Sequence, residues 1–157
     1  MITGLKATRG KNSMSTKRIA GLVQEILHDG QLVISTLSDS RRETIDAYID
    51  SCNEILRAWK NPISINFLHD ISHKDVALTP YFRSRLNEIS GVIRELNMME
   101  KVHSANLLQN SLMSRIFMLF GDTFSRSSGV KQKFFVNRQQ ALDWLMSHIE
   151  AEKSKVG

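Results

Sequence analysis

The sequence contains little cysteine, little proline and few aromatic residues. Among its 157 residues are one cysteine, Cys52, and two prolines, and aromatic side chains make up 7% of the chain. A lone cysteine cannot form an intrachain disulfide framework or a cysteine-based zinc site. Two prolines provide no proline-rich linker that would divide the chain. We therefore expect one continuous domain, in which Cys52 is a small packing residue.

Long apolar runs are also missing. No window approaches the roughly 18 consecutive apolar residues that a membrane-spanning helix needs, and the N-terminus carries no apolar core of a secretory signal. The hydrophobic and charged fractions, 41% and 24%, are those of ordinary globular domains. The composition predicts a soluble, cytoplasmic domain.

The net charge of +5 is concentrated at one end of the chain. The first 18 residues contain five basic side chains and no acidic one, whereas the remainder is balanced. No aromatic residue lies between these basic residues, so the stacking platforms that single-stranded nucleic acids use are absent there. We expect a flexible basic arm over residues 1–16, and the pattern disfavours nucleic acid as a partner.

The first half of the chain alternates between strand and helix patterns. Two β-rich runs, "RIAGLVQEIL" and "QLVISTLS", flank Asp29-Gly30, a dipeptide typical of tight turns, and predict a β-hairpin. Apolar residues then recur every three or four positions from Ile45 to Trp59, which predicts a helix. Ser40 and Glu43 have the spacing of a capping box at its start.

The alternation continues to the end of the chain. "PISINFLHDIS", "KVHSANLLQ" and "VKQKFFVN" predict buried strands, and helices are predicted after Thr79-Pro80, over 112–124 and from Arg138. This order predicts an α/β fold: a mostly parallel sheet of about five strands with an N-terminal antiparallel hairpin, covered by about four helices. We expect a single domain over residues 17–152 and a disordered tail over 153–157.

Part of the second half resembles a known family. Between residues 104 and 145, Leu119-Phe120-Gly121, Phe134-Phe135 and the segment "ALDWL" follow one another in the order found in the STAS superfamily of sulfate-transporter and anti-sigma-factor-antagonist domains. The resemblance is to its divergent branch of stand-alone bacterial proteins. It implies a STAS-like fold and a regulatory role through protein contacts, for example with a regulatory kinase.

The resemblance also implies a phosphorylation site at the helix after the central strand. Thr79 lies close to the acceptor position of that family, and Ser72 precedes it in the same loop. A phosphate there would gain from the unpaired N–H groups at the helix start. The Asp-Ser-Ser-Gly motif of the family is missing from this chain.

A polar loop follows the predicted central strand. In open α/β sheets, ligands bind at the carboxyl ends of strands, so this loop is a candidate ligand site. We list its residues as His69, Asp70, Ser72, His73 and Asp75. A hydrolase-like activity in the loop is the enzymatic alternative, but no nucleophile elbow and no HExxH motif accompanies it, and we expect neither a metal nor another cofactor.

The predicted helix over 112–124 has more apolar residues than one buried face can hold. We expect the surplus, rimmed by Arg115, to form a partner interface; its members are Met113, Phe117, Met118, Phe120 and Phe124. The leading hypothesis is a non-enzymatic regulatory domain that forms a homodimer through this helix. The alternative is lipid or amphiphile binding at a membrane surface, similar to the role of CRAL-TRIO domains.

Overall fold

The computed structural model describes residues 14–111, 115 and 129–156. This part of the chain contains six strands and three α-helices. The strands are β1 (Ser15–Ile19), β2 (Leu22–Leu27), β3 (Leu32–Leu37), β4 (Ile65–Asp70), β5 (Val102–Leu107) and β6 (Lys131–Phe135). The helices are α1 (Arg42–Ala58), α2 (Pro80–Glu95) and α3 (Arg138–Val156).

All six strands form one sheet in sequence order, from β1 to β6. The pairs β1–β2 and β2–β3 are antiparallel, and the pairs from β3 to β6 are parallel. The predicted α/β class, with a parallel sheet and an N-terminal antiparallel hairpin, is confirmed. The turn between β2 and β3 contains Asp29 and Gly30 in the left-handed region, as the Asp-Gly signal predicts.

The sheet has one strand more than predicted, because the run "RIAGLVQEIL" is broken by a tight turn. Ala20 has a φ of 51° and reverses the chain between β1 and β2. Beside it, the N–H of Gly21 donates to the hydroxyl of Thr44, and a Cβ on Gly21 would clash with the side chains of Asp39 and Thr44. A larger residue here would have to displace those side chains, and a sequence pattern does not reveal this contact.

The starts of α1 and α2 differ in how their free N–H groups are satisfied. Thr79 is the N-cap of α2 and accepts from the N–H of Phe82 at 3.1 Å, as predicted. The predicted capping box of α1 is wrong, because its N-cap is Arg41 and no side chain caps it. Ser40 instead accepts a hydrogen bond from the N–H of Ala77, in the loop before α2.

The sheet is covered on both faces. Helices α1 and α2 pack together on one face over a core that includes Val33, Phe67 and Val102. Helix α3 packs on the other face, where Ala141, Leu145 and Ile149 are fully buried against strands β3 to β6. This three-layer arrangement places alternate residues of each parallel strand on opposite faces.

The predicted helix over 112–124 lies outside the described residues, except for Arg115. Helix α3 extends to Val156, through most of the segment that the sequence predicts to be a tail. Among the helices that the structure describes, none combines the length and the apolar character that crossing a membrane requires.

Candidate ligand cavity

A cavity of about 410 Å³ lies between α2 and the central strands of the sheet. Its volume falls within the range of roughly 300 to 1,000 Å³ that small-molecule sites occupy. The described apolar lining consists of Ile71, Leu78, Leu86, Ile89, Ile93, Leu108, Val130 and Phe134. The polar lining consists of Tyr48, His69, Arg83, Asn87, Ser90, Ser104, Asn106 and Gln132. Such a mixed surface suits a molecule with both apolar and polar parts.

The polar floor of the cavity follows from the strand register. His69 on β4 lies beside Asn106 on β5, and Ser104 on β5 lies beside Gln132 on β6. In a parallel sheet, neighbours in register point to the same face, so these side chains come together beneath α2. The amide of Asn106 donates to the side-chain oxygen of Gln132 at 3.2 Å.

One face of α2 provides the opposite wall. Arg83, Leu86, Asn87 and Ser90 all line the cavity, and their spacing of three and four residues places them on one helical stripe. Ser90 is half-buried, whereas Arg83 and Asn87 are exposed to solvent. The α2 side of the cavity therefore has exposed polar groups at Arg83 and Asn87 and a half-buried hydroxyl at Ser90.

A buried hydrogen bond between Tyr48 and His69 closes one side of the cavity. The hydroxyl of Tyr48 lies 2.6 Å from Nδ1 of His69, and both residues are at least 95% buried. Burial lowers the pKa of His69 to about 4 and raises the pKa of Tyr48 well above its usual value. At neutral pH the pair is uncharged, and one hydrogen bond joins the Tyr48 hydroxyl to Nδ1 of the neutral His69 ring.

The predicted polar loop does not form one cluster. His69 faces the cavity, but its neighbour Asp70 points to the opposite face of the sheet, because successive strand residues alternate. Asp70 accepts from the guanidinium of Arg138 at 2.7 Å and from the hydroxyl of Ser72 at 2.6 Å. It thereby joins the end of β4 to the start of α3.

The other members of the predicted loop lie on the surface. His73 and Asp75 are exposed, with Nδ1 of His73 at 3.9 Å from the carboxylate of Asp75. The two predicted phosphorylation sites both have structural partners: Ser72 bonds to Asp70, and Thr79 caps α2. Both hydroxyl-bearing residues remain partly accessible to solvent.

Most residues of the predicted partner interface lie outside the part of the chain that the structure describes. Met113, Phe117, Met118, Phe120 and Phe124 lie outside the described residues, and Arg115 is described and exposed. Among the residues that the structure does describe, no group of three or more histidine, cysteine, aspartate or glutamate side chains could hold a metal ion.

Several cavity residues are absent from the sequence prediction. The sequence pattern places Tyr48 in the apolar stripe of the first helix, and Ser104 and Asn106 in a buried strand, with no indication of a shared site. For Ser104 and Asn106, the sequence does contain an indication. They are polar residues two positions apart in the strand "VHSANL", so they lie on one face of the sheet. That pattern could have indicated a polar patch inside the fold, but not the helix that faces it.

Comparisons with known proteins return few matches. No protein-family model matches the chain, and no curated protein is found to be similar. Among solved structures, the chain is similar to an uncharacterized protein of the DUF3478 family with a SpoIIAA-like fold from Shewanella loihica PV-4. The two share 16% identity with a TM-score of 0.49, over 85% of this chain and 93% of the other.

Proposed function

We propose that this STAS-like domain is a non-catalytic binding module whose cavity holds a small amphiphilic molecule. The observation that supports the proposal is the cavity of about 410 Å³ between α2 and the sheet, with apolar and polar side chains in its lining. Apolar walls favour a hydrocarbon part by removing it from water. The few polar groups can fix the orientation of the ligand.

The polar groups of the cavity favour binding over catalysis. General acid–base chemistry at neutral pH uses a group whose pKa lies near the working pH. The pKa of His69 is lowered to about 4 and that of Tyr48 is raised, so neither matches this requirement. No described carboxylate lines the cavity. Asp70 is the neighbour of the lining residue His69, but it lies on the other face of the sheet, in contact with Arg138. The Tyr48–His69 pair is suited to hydrogen bonding as a neutral unit.

Filling the cavity tests this function. We expect a Ser90→Phe variant to reduce binding of decanol, measured by isothermal titration calorimetry below its aggregation concentration, by at least tenfold. Ser90 is a half-buried lining residue, so the added ring would occupy ligand volume. The matched control is Ser84→Phe, which adds the same ring on the exposed side of α2. Circular dichroism establishes that both variants fold.

Two results would contradict the proposal. One is the absence of binding of any amphiphile to the wild-type protein. The other is equal binding by the Ser90→Phe and Ser84→Phe variants, which would place the ligand elsewhere. Mass spectrometry of the native protein supplies an independent measurement, since a tightly held natural amphiphile would be detected as an added mass.

We further propose that the domain acts through contact with a second copy of itself. The support is the apolar excess of segment 112–124, where Met113, Phe117 and Phe124 are more than one buried face requires. A self-complementary apolar patch gives a two-fold dimer.

A further inference from the structure

We infer that the ligand of the cavity is an anionic amphiphile, such as a carboxylate with a hydrocarbon tail, whose charged group binds Arg83 at the cavity mouth. This inference rests on the proposed binding function and specifies the chemical class of the ligand. It follows from the charges in the lining, from the partners of the arginines on α2, and from the apolar side chains that share the lining with them.

Arg83 is the one formally charged side chain among the described lining residues. The remaining polar groups are hydroxyls, amides and the imidazole of His69, which burial keeps neutral by lowering its pKa to about 4. The described lining thus contains a positive charge and no carboxylate to balance it. An anion at this position would gain attraction, whereas a cation would be repelled by Arg83.

The arginines of α2 differ in their burial and in their ion pairs. Arg85 is largely covered and contacts the carboxylates of Asp46, Asp50 and Glu88 within 3.4 Å. Arg83, two residues earlier, is exposed, and its guanidinium forms no ion pair or hydrogen bond with any residue that the structure describes. Its guanidinium has five donors that match a carboxylate or phosphate group. Asn87, one turn later on the same stripe, adds an amide beside it.

The same lining also contains apolar side chains. Leu86, Ile89 and Ile93 contribute from α2, and Ile71 and Leu108 contribute from the ends of β4 and β5. A ligand with its charged group at Arg83 would therefore place its tail among these side chains. A wholly polar anion would leave them uncovered, which is why the inference specifies an amphiphile and not a free phosphate.

Three probes with the same hydrocarbon chain test the inference. We expect decanoate to bind about fivefold more tightly than decanol, as an exposed charge pair allows, and decyltrimethylammonium to bind more weakly than either, by calorimetry at low salt. Because Arg83 is solvent-exposed, added salt should reduce the preference for decanoate. The variant Arg83→Gln should bind decanoate and decanol alike, while Arg94→Gln, an exposed arginine of α2 outside the lining, should keep the fivefold preference.

The outcomes separate this inference from the function on which it depends. Equal binding of decanoate and decanol by the wild-type protein, or an unchanged preference in the Arg83→Gln variant, would overturn the inference while the cavity remained a binding site. Failure of all three probes to bind would overturn the proposed function itself. Decyl phosphate is a further probe. If it binds as tightly as decanoate, the result supports Arg83 as the anion site and shows that the site accepts phosphate as well as carboxylate headgroups.

Discussion

Acidification should destabilise the fold through His69. This side chain lies between α1 and the sheet with 5% of its surface exposed, and its Nδ1 is within 2.6 Å of the Tyr48 hydroxyl. Burial lowers its pKa from 6.5 to about 4, because the protonated ring would lose its hydration without gaining a negative partner. In the unfolded chain the ring is hydrated and protonates at its ordinary pKa.

The sign and the size of the effect follow from the two pKa values. Between pH 6.5 and pH 4 the unfolded state binds a proton that the folded state does not, so the free energy of unfolding falls as the pH is lowered. The full stability is present above pH 6.5 and the loss is complete below about pH 4. This difference between the unfolded and folded pKa of His69 corresponds to about 3 kcal/mol in the free energy of unfolding. That is a large part of the stability of a small domain.

The measurement compares wild-type protein with a His69→Asn variant by urea unfolding across this pH range. Asparagine cannot titrate, and its amide can either donate to or accept from the Tyr48 hydroxyl, as the neutral imidazole can. The pKa of His103 is also lowered to about 4, by burial, His148 and Lys131, so both proteins should lose stability in acid. The wild-type protein should lose about 3 kcal/mol more than the variant between pH 7 and pH 4.

A matched control is His73→Asn, which changes an exposed histidine four residues along the chain. This control separates the loss of the buried His69 ring from the loss of one histidine anywhere in the chain. Parallel curves for the wild-type and His69→Asn proteins would refute the reasoning, because they would mean that His69 takes up its proton equally in both states. If the free energy of unfolding of the wild-type protein alone rose as the pH was lowered, the predicted direction of the effect would be wrong.

Two further predictions concern a helix cap and the subunit interface. Thr79→Ala should lower the free energy of unfolding by about 1 kcal/mol, because the N–H of Phe82 loses its acceptor, while Thr79→Ser should stay close to wild type; an equal loss in both variants would show that the hydroxyl is not what stabilises α2. Light scattering over a range of concentrations should show a dimer of the wild-type chain and a folded monomer of the Met113→Glu, Phe117→Glu variant; a wild-type monomer would remove the dimer proposal.

The fold follows largely from local patterns in the sequence. The three-and-four spacing of Ile45, Ile49, Cys52 and Leu56 permits no structure but a helix, and these side chains are indeed buried on one face of α1. Asp29-Gly30 likewise determines a turn through the backbone conformations that it tolerates. Where the prediction failed, the local pattern gave no signal: Ala20 turns the chain in the left-handed region, and Gly21 beside it contacts Thr44, which is 23 residues away.

The end of β4 shows that local sequence also fails to predict the candidate site. The sequence places His69 and Asp70 side by side, and a shared role follows naturally from that proximity. The pleat of the strand separates them, so that His69 meets Tyr48 of α1 and Asp70 meets Arg138 of α3, 68 residues away. No local signal states which face of a two-sided sheet a strand residue will occupy, since both faces are covered.

By itself, the sequence determined the order of strands and helices, the Thr79 cap and the apolar stripes, since all of these depend on residues within a few positions of one another. The cavity was decided only by tertiary structure. Tyr48, His69, Arg83 and Asn106 come from four elements, and only the parallel register of β4 and β5 and the placement of α1 and α2 on the same face bring them together. Binding sites of this kind depend on contacts distant in sequence, which hydrophobic periodicity does not encode.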